Sequence, residues 1–371
     1  MRPLLITVFA ALVFYSWSCK TSDSNGTHHN SRFIERLQPA PVNGGFEMEG
    51  YWVWGMSVIK GDSLYHGYAS RWPKSVPFAP NWMTHSEIVH ATSRTPEGPY
   101  EFQEVVFERR GSEYWDGMTT HNPTIHKIGD TYLLYYIGMI YDFVPPDSAL
   151  TQEQIVEARS SQRIGLATAS SPWGPWQRKD KPILKPRPGE WDALFTNNPA
   201  PVVRKDSSVL LIYKSTRDMQ GLLKLGAAEA NHFEGPYTQI GNEPILEWDN
   251  PEDTDRRSSK HVEDPYVWWS GNRYELIAKD MTGQITGQRG AGLHAWSENG
   301  TEWNVEEHPL AYTRNVVWAN GDTLEMAAFE RPQLLIQDGV PTHLFAATGI
   351  NSEGDYWKFE KTWNVSIPLA H

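Results

Sequence analysis

The chain has 371 residues, and its 33 Lys and Arg stand against 45 Asp and Glu, for a formal net charge of −12 at pH 7. No cluster of basic residues occurs along it, which excludes nucleic acid as an expected partner. Its one cysteine, Cys19, excludes an intramolecular disulfide.

The first 19 residues combine a basic start with a short apolar run from Leu4 to Trp17. The run falls short of the roughly 20 residues that a bilayer requires, so it predicts an export signal rather than a membrane span. Cys19 stands where such a signal is cut, which resembles a bacterial lipoprotein signal with a lipidated cysteine. The alternative is an ordinary signal peptide. We therefore expect an exported protein, periplasmic or held at the cell surface, whose membrane contact is a lipid anchor alone.

Residues 20–35 are polar and have no apolar period, so we expect a tether ahead of one domain over residues 36–371. Within that domain one pattern occurs four times: a polar pair before proline, a short apolar strand, a glycine turn and a second strand. A degenerate first copy has Trp54-Gly55 where the others have a residue followed by proline. The key positions are 54, 122, 198, 264 and 331, at steps of 68, 76, 66 and 67 residues. A near-constant period of this length indicates a repeat architecture.

Each unit has a second half that predicts a third strand, a Gly-Pro turn and a fourth strand. The copies are Ala91–Tyr100, Ala167–Trp176, Ala228–Tyr237 and, more loosely, Ala295–Gly300. Four antiparallel strands in each of five units predict an all-β fold, a five-bladed β-propeller. We expect the last strand, about 362–368, to pair with the N-terminal region and close the ring.

Two long links interrupt the blades, Arg71–Ser86 in the first and Gly138–Gln162 in the second. Links of this length inside a compact blade are usually functional. The second contains a predicted short helix, Thr151–Arg159, which opens with a Thr-x-x-Gln capping box. We expect it to fold over one mouth of the ring.

The starts of the inner strands converge at one mouth of a propeller, so the polar pairs of all five blades should meet there. Residues that differ between equivalent positions are the stronger functional candidates, namely Glu263, Asp264, Glu330 and Arg331. Expected to contact substrate are Trp54, His121, Asn122 and Asn198. The alternative for the acids is that they bond backbone amides at the strand starts.

Paired carboxyl groups suggest glycoside hydrolysis, which needs one acid to protonate the leaving oxygen and one carboxylate as base or nucleophile. Crowding at a partly desolvated mouth raises the pKa of one of them. Arg331 could hold a neighbouring carboxylate ionised, or bind a carboxylate or sulfate of the substrate through two hydrogen bonds.

Asp116 and Asp192 are two further acids. Each directly follows a tryptophan and lies six residues before the asparagine of an Asn-Pro pair. Their recurrence favours a structural role, with substrate contact as the alternative. The histidines show no short metal-ligand spacing, so no metal or other cofactor is expected, and a channel ion such as calcium is not indicated.

These strand starts, with their glycine turns and the Ser-x-x-Pro-x-Gly-Pro tails, resemble the five-bladed glycoside hydrolases of families 43 and 117 over about residues 45–368. In those families an Asp of an Asp-Pro strand start serves as base or pKa modulator, which Asp264 fits. A Glu two residues before proline serves as the acid, which Glu330 fits. The families place their acids on the first three blades, whereas this chain has Trp54, Asn122 and Asn198 there.

The resemblance implies an exo-acting glycosidase that degrades plant or algal polysaccharide, with an oligosaccharide or polysaccharide as its binding partner. Seventeen tryptophans fit this reading, because surplus aromatic rings can stack on sugars, although propeller blades also bury many. Two alternatives stay open: a phosphorolytic enzyme or sugar eliminase or dehydratase on the same scaffold, and a non-catalytic carbohydrate-binding lipoprotein.

Overall fold

The computed structural model describes residues 32–246, 255, 257–351 and 358–370. The predicted signal, the lipidation site Cys19 and most of the predicted tether lie outside the described residues and stay predictions. The fold begins slightly earlier than expected, because Phe33 of the short 3-10 helix Phe33–Arg36 is buried against Trp268, with ring centroids 5.8 Å apart.

The sheets confirm the predicted five-bladed β-propeller. In each blade consecutive strands pair antiparallel from the inner strand outward. Blade one contains β1 Tyr51–Lys60, β2 Tyr65–Pro73, β3 Glu87–Ser93 and β4 Glu101–Val105; blade two β5 Thr119–Ile128, β6 Thr131–Met139, β7 Arg163–Ala169 and β8 Gln177–Arg178; blade three β9 Asn197–Val203, β10 Val209–Ser215, β11 Lys224–Ala230 and β12 Thr238–Ile240; blade four β13 Val262–Trp269, β14 Tyr274–Asp280, β15 Gly292–Ser297 and β16 Asn304–Tyr312. A hairpin, β17 Asn315–Val317 and β18 Thr323–Glu325, precedes blade five, which contains β19 Ala328–Gln337, β20 Val340–Ile350 and β21 Lys361–Pro368.

The ring closes through blade five, as predicted. The outer edge of β21 pairs with the chain ahead of blade one, in bridges from Phe46 to Asn364 and from Leu37 to Leu369. The amide N–H groups of Phe46 and Asn364 each donate to the other residue's carbonyl at 2.9 Å. These pairs occupy the fourth-strand position of the blade and satisfy an edge that would otherwise be open.

Each inner strand carries a β-bulge near its start. In blades two to five the bulge residue is followed by a proline, which cannot donate to the ladder. The residue at each bulge has a positive φ between 49° and 60°, and glycine, asparagine and aspartate tolerate this region best. These residues are Gly55, Asn122, Asn198, Asp264 and Arg331.

The bulges correct the alignment of the first repeat. Its bulge residue is Gly55, so the first step runs from 55 to 122, and Trp54 is equivalent to His121 rather than to Asn122. The absence of a proline in the first copy hid this offset of one residue.

Two short helices lie in the long links, α1 Trp82–His85 and α2 Gln152–Ser160. The predicted capping box of α2 is present: the Gln154 N–H donates to Thr151 Oγ1 at 3.3 Å, and the Thr151 N–H donates to Gln154 Oε1 at 2.9 Å. Neither helix nor any other in the described part of the chain has the length and apolar character needed to cross a membrane.

Candidate active site

The starts of the inner strands enclose a cavity of about 80 Å³ at one mouth of the ring. Eight of the ten candidates for catalysis or substrate binding line it, so the predicted convergence is present. Its lining is Trp54, Trp72, Phe78, Trp82, His121, Asn122, Arg159, Gln162, Asn197, Asn198, Lys214, Glu263, Asp264, Glu330 and Arg331.

The lining is built in two layers, because every blade contributes two consecutive residues at its bulge. One layer holds the residues that precede the bulge position in each blade, and the other holds the bulge residues themselves. The first layer is Trp54, His121, Asn197, Glu263 and Glu330.

The bulge layer forms a belt of hydrogen bonds. Asn122 Nδ2 donates to Asn198 Oδ1 at 2.9 Å, Asn198 Nδ2 donates to Asp264 Oδ1, and the Arg331 N–H donates to Asp264 Oδ2 at 3.1 Å. Gly55 completes the belt without a side chain. A Cβ there would lie 2.8 Å from Asn122 Oδ1 and 3.6 Å from Arg331 Cγ, so the belt requires glycine on steric grounds as well as for its φ.

Two buried lysines neutralise the glutamates of the first layer. Lys214 Nζ lies 2.9 Å from Glu263 Oε2, and Lys279 Nζ lies 3.0 Å from Glu263 Oε1 while also contacting Glu330. Sequence reasoning missed both lysines. Lys214 is the only charged residue of β10, and Lys279 directly follows the apolar residues Leu276–Ala278 of β14, places where lysine is rare unless paired. In the sheet Lys279 stands directly across from Glu263.

The three carboxyl groups differ in their electrostatic environment. Burial raises the pKa of Glu263, but the charges of Lys214 and Lys279 outweigh it, so its pKa lies below the usual range. Burial raises the pKa of Asp264, and the charge of Glu263 adds to this. Burial likewise raises the pKa of Glu330 against the opposing charge of Lys279, and the neighbouring Glu263 and Asp264 add to the rise. One carboxylate is therefore held ionised beside two that resist ionisation.

His121 is held as a neutral imidazole. Its Nδ1 lies 2.8 Å from Ser86 Oγ, and its ring stacks on Trp82 at 4.5 Å between centroids. Burial lowers its pKa well below 6.5, and the charges of Arg331 and Lys214 act in the same direction.

Both long links contribute residues to the cavity lining. The first link adds Phe78 and Trp82 to an aromatic wall, in which the rings of Trp54 and Phe78 meet at 4.9 Å. The link that carries α2 adds Arg159 and Gln162. Gln162 Oε1 accepts a 2.6 Å hydrogen bond from Asn197 Nδ2, which belongs to the polar pair of blade three.

Arg331 is the most deeply enclosed cation of the lining. Only 1% of the residue is exposed, and none of its three guanidinium nitrogens has a hydrogen-bond partner within the described ranges. Arg331 is the bulge residue of its blade, and its positive φ directs its side chain towards Gly55.

Asp116 and Asp192 were candidates for substrate contact, but the structure does not bring them into the cavity. Each is fully buried, and each accepts a hydrogen bond from a tyrosine on the second strand of its blade. These are Tyr136 for Asp116, at 2.6 Å, and Tyr213 for Asp192, at 2.7 Å. Each also pairs with arginine: Arg110 and Arg178 bond Asp116, and Arg187 bonds both oxygens of Asp192 at 3.0 Å. Their carboxylates are fully used in a repeated motif within the blades, in line with the structural role favoured for a recurring residue.

The carboxylate cluster is poorly suited to a cation. Oxygen atoms of Glu263, Asp264 and Glu330 lie within 4.8 Å of one another, which would suit a divalent ion. However, Lys214 and Lys279 already supply positive charge to the two glutamates. A metal would have to displace these ammonium groups, so we assign none to the site.

No protein-family model and no curated protein sequence matches the chain. Solved structures do. It is similar to a family 117 glycoside hydrolase produced by the marine bacterium Zobellia galactanivorans, with a TM-score of 0.66 and 15% identity over 91% of this chain and 92% of that one. It is also similar to a thermostable family 43 glycoside hydrolase, with a TM-score of 0.57 and 14% identity over 90% and 93% of the chains.

A third similar structure is the catalytic domain of the Coprinopsis cinerea family 62 α-L-arabinofuranosidase, with a TM-score of 0.58 and 13% identity over 90% and 98% of the chains. At these identities the likeness establishes the fold, and the resemblance predicted from the sequence is confirmed at that level.

Proposed function

We propose that the protein is an exo-acting glycoside hydrolase whose acids come from blades four and five. The observation that carries this proposal is the carboxyl cluster at the ring mouth, in which Glu263 is held ionised while Asp264 and Glu330 have raised pKa values. A glycosidase needs an acid that keeps its proton near neutral pH beside a second carboxyl group, and the fixed charge of Glu263 helps to supply that acid by raising the pKa of Glu330. The glycoside hydrolase structures of the same fold support the proposal.

In this proposal Glu330 is the acid that protonates the leaving oxygen. Asp264 is the reacting carboxylate, positioned by Asn198 and by the Arg331 N–H. Glu263 does not react. Its fixed negative charge raises the pKa of Glu330 and keeps that acid protonated. Because Lys214 and Lys279 bond both of its oxygens, Glu263 is a weak base.

The shape of the cavity supports attack at a chain end. The cavity is small, and the aromatic link and α2 border it, so it suits one terminal sugar. Lys279, which contacts Glu330, also lines a larger cavity of about 430 Å³ with Arg289 and Arg314. We assign that larger cavity to the rest of the saccharide.

The proposal is tested by turnover of plant and algal oligosaccharides by the purified protein. We expect release of a monosaccharide, and a loss of at least about 1,000-fold in kcat in both Glu330→Gln and Asp264→Asn. NMR of the first anomer released tells whether Asp264 attacks the sugar directly, giving retention, or through water, giving inversion.

Glu307→Gln is the matched control, because Glu307 is an exposed glutamate of the outer strand β16 and lines neither cavity. It should leave turnover unchanged. Sugar binding without turnover, equal in wild type and in Glu330→Gln, would instead identify a carbohydrate-binding protein. Turnover that needs added phosphate would identify a phosphorylase, and a product with ultraviolet enol-ether absorbance would identify an eliminase.

We further propose that the protein acts outside the cytoplasm, held by a lipid on Cys19. The support is the basic and apolar start of the sequence and its single cysteine. Mass spectrometry of the mature N-terminus, with Cys19→Ser as the comparison, tests this. An unmodified N-terminus, or cleavage elsewhere, would contradict lipidation.

A further inference from the structure

Arg331 has a guanidinium group whose hydrogen-bond donors are left without partners by the described residues. Its guanidinium lies in the cavity lining, and Nε, Nη1 and Nη2 have no hydrogen-bond partner among the described residues. Its backbone N–H, in contrast, is used by Asp264. A buried donor without a partner is destabilising, and a charged one more so, so a ligand that fills these bonds would bind correspondingly more tightly.

The charges around the cavity indicate whether that ligand is positively or negatively charged. Four cationic side chains surround it, Arg159, Lys214 and Arg331 in the lining and Lys279 just behind. Three carboxyl groups oppose them, and one of these, Glu330, is protonated in the reactive state proposed above. The site is therefore positive overall in a chain whose net charge is −12.

Guanidinium suits one kind of partner better than any other. Its planar fork donates two parallel hydrogen bonds to a carboxylate or a sulfate, a geometry that neutral hydroxyl groups cannot match. The positive φ at residue 331 is unfavourable for arginine, and blades two and three place asparagine at the equivalent position. The strained position therefore holds a residue that brings a fixed positive charge to the ring axis.

We propose that the terminal sugar cleaved by this protein carries an anionic substituent, a carboxylate or a sulfate ester, which binds Arg331 through its guanidinium. This inference rests on the proposed hydrolase function and names its substrate class. The anion would fill the unpaired donors, and Arg331 would thereby fix the sugar relative to Asp264, whose carboxylate the same residue already holds through its backbone.

The test uses matched substrates with one charge removed. Digalacturonate is compared with its carboxyl-reduced form, and sulfated agar and carrageenan oligosaccharides are compared with their desulfated forms. For wild type we expect a charged substrate to be cleaved with kcat/KM about 100-fold above its neutral partner, the size expected for a buried charged hydrogen-bonded pair. The carboxylate and sulfate arms distinguish the two anions.

The variants are Arg331→Asn and Arg331→Lys, beside the exposed Arg94→Gln as a control. Asparagine tolerates the positive φ and stands at this position in other blades, so Arg331→Asn should fold. We expect its loss in kcat/KM to be about 100-fold greater on the charged substrate than on the neutral one. Lysine keeps the charge but not the fork, so Arg331→Lys should fall between wild type and Arg331→Asn.

The outcomes separate this inference from the proposed function. Cleavage of neutral substrates as fast as charged ones would overturn the inference and leave the hydrolase intact. Calorimetric binding of charged oligosaccharides that Arg331→Asn weakens, without any cleavage, would support anion recognition and overturn hydrolysis. Turnover only in the presence of inorganic phosphate would overturn the inference, since the guanidinium would then hold phosphate. If Arg331→Asn does not fold, the wild-type comparison of the charged and neutral substrates decides alone.

Discussion

Glu263 and Glu330 occupy the same position in neighbouring blades, yet their pKa values move in opposite directions. Lys214 and Lys279 both bond Glu263, whereas Lys279 alone reaches Glu330. Burial and two adjacent carboxyl groups then prevail at Glu330. The additional ammonium group at Glu263 thus accounts for its lowered pKa, whereas Glu330, with one ammonium group, has a raised pKa.

This difference predicts a pH effect. Glu330 must be protonated to act, so kcat/KM should fall as the pH rises through its raised pKa, which puts the alkaline limb above the usual pKa of 4.5 for glutamate. Glu263→Gln removes a negative charge that raises this pKa and leaves Lys279 more fully to Glu330. The pKa of Glu330 should then fall, and the alkaline limb should move to lower pH.

The measurement is the pH profile of kcat/KM for wild type and Glu263→Gln, with Glu302→Gln, an exposed glutamate, as the control. An alkaline limb that stays in place, or moves to higher pH in Glu263→Gln, would show that Glu263 does not set the proton affinity of the acid.

Most of the site could be predicted at the residue scale, because the proline motif marks the two lining residues of each later blade. Lys214 and Lys279 were not predicted, because they lie on second strands. They reach the site because the sheet places them opposite lining residues of the inner strands, Asn197 and Glu263. Their signal was a charge inside an apolar strand. Arg331 was recognised as an anion-binding candidate, but only burial reveals that its donors are unpaired.

The helix α2 shows how one element shapes the site. It lies within the insertion of blade two, and that link places Arg159 and Gln162 in the cavity lining. Only Ala158 is buried within the helix, so its packing is thin and its Thr151 cap contributes a relatively large part of its stability. The capping box was readable from the sequence because its residues lie within one turn, whereas the contact of Gln162 with Asn197 depends on the ring.

Thr151→Ala should therefore loosen α2 without unfolding the propeller. Loss of an N-cap costs about 1 kcal/mol, which corresponds to roughly fivefold faster amide exchange in residues 152–160. Hydrogen exchange with mass spectrometry measures this, with Thr95→Ala in a blade-one turn as the control. Equal acceleration throughout the chain would show that the cap supports the whole fold instead.

At the scale of the whole molecule, β21 joins the last blade to the first. Thr362 Oγ1 accepts the Val53 N–H at 2.9 Å, and Asn364 Oδ1 accepts the Met56 N–H at 2.8 Å. All four residues are buried, so the two inner-strand amides of blade one depend on side chains from the end of the chain.

Thr362→Val should lower the melting temperature, because a buried N–H of Val53 loses its acceptor at a cost of about 1–3 kcal/mol. Each kcal/mol corresponds to about 2–4 °C in a chain somewhat smaller than this one. Thr313→Val is the isosteric control, because it removes a hydrogen bond at the surface, where water can replace it. Equal melting temperatures for the two variants would contradict a role for Thr362 in closure.

The number of blades and the closure of the ring followed from the sequence because a repeat period is a property of the whole chain. The first repeat was misaligned by one residue, since Gly55 has no proline after it to mark the bulge. Asp116 and Asp192 show a second limit. Each stands six residues ahead of a predicted site residue, but the arginines that bind them lie in loops and on the outer strand β8 and cannot be paired from sequence.

The division of the cavity between blades has a stereochemical consequence. Aromatic surface comes from blade one, through Trp54, Phe78 and Trp82, whereas ionic groups come from blades three to five and from Arg159 in the insertion of blade two. A sugar ring has two unlike faces, distinguished by the axial or equatorial direction of each hydroxyl group. Only a ring with its C–H groups on the side towards the tryptophans can also present its substituents to the ionic side. Recognition of configuration would then come from the asymmetry of the ring of blades, before any single hydrogen bond selects between epimers.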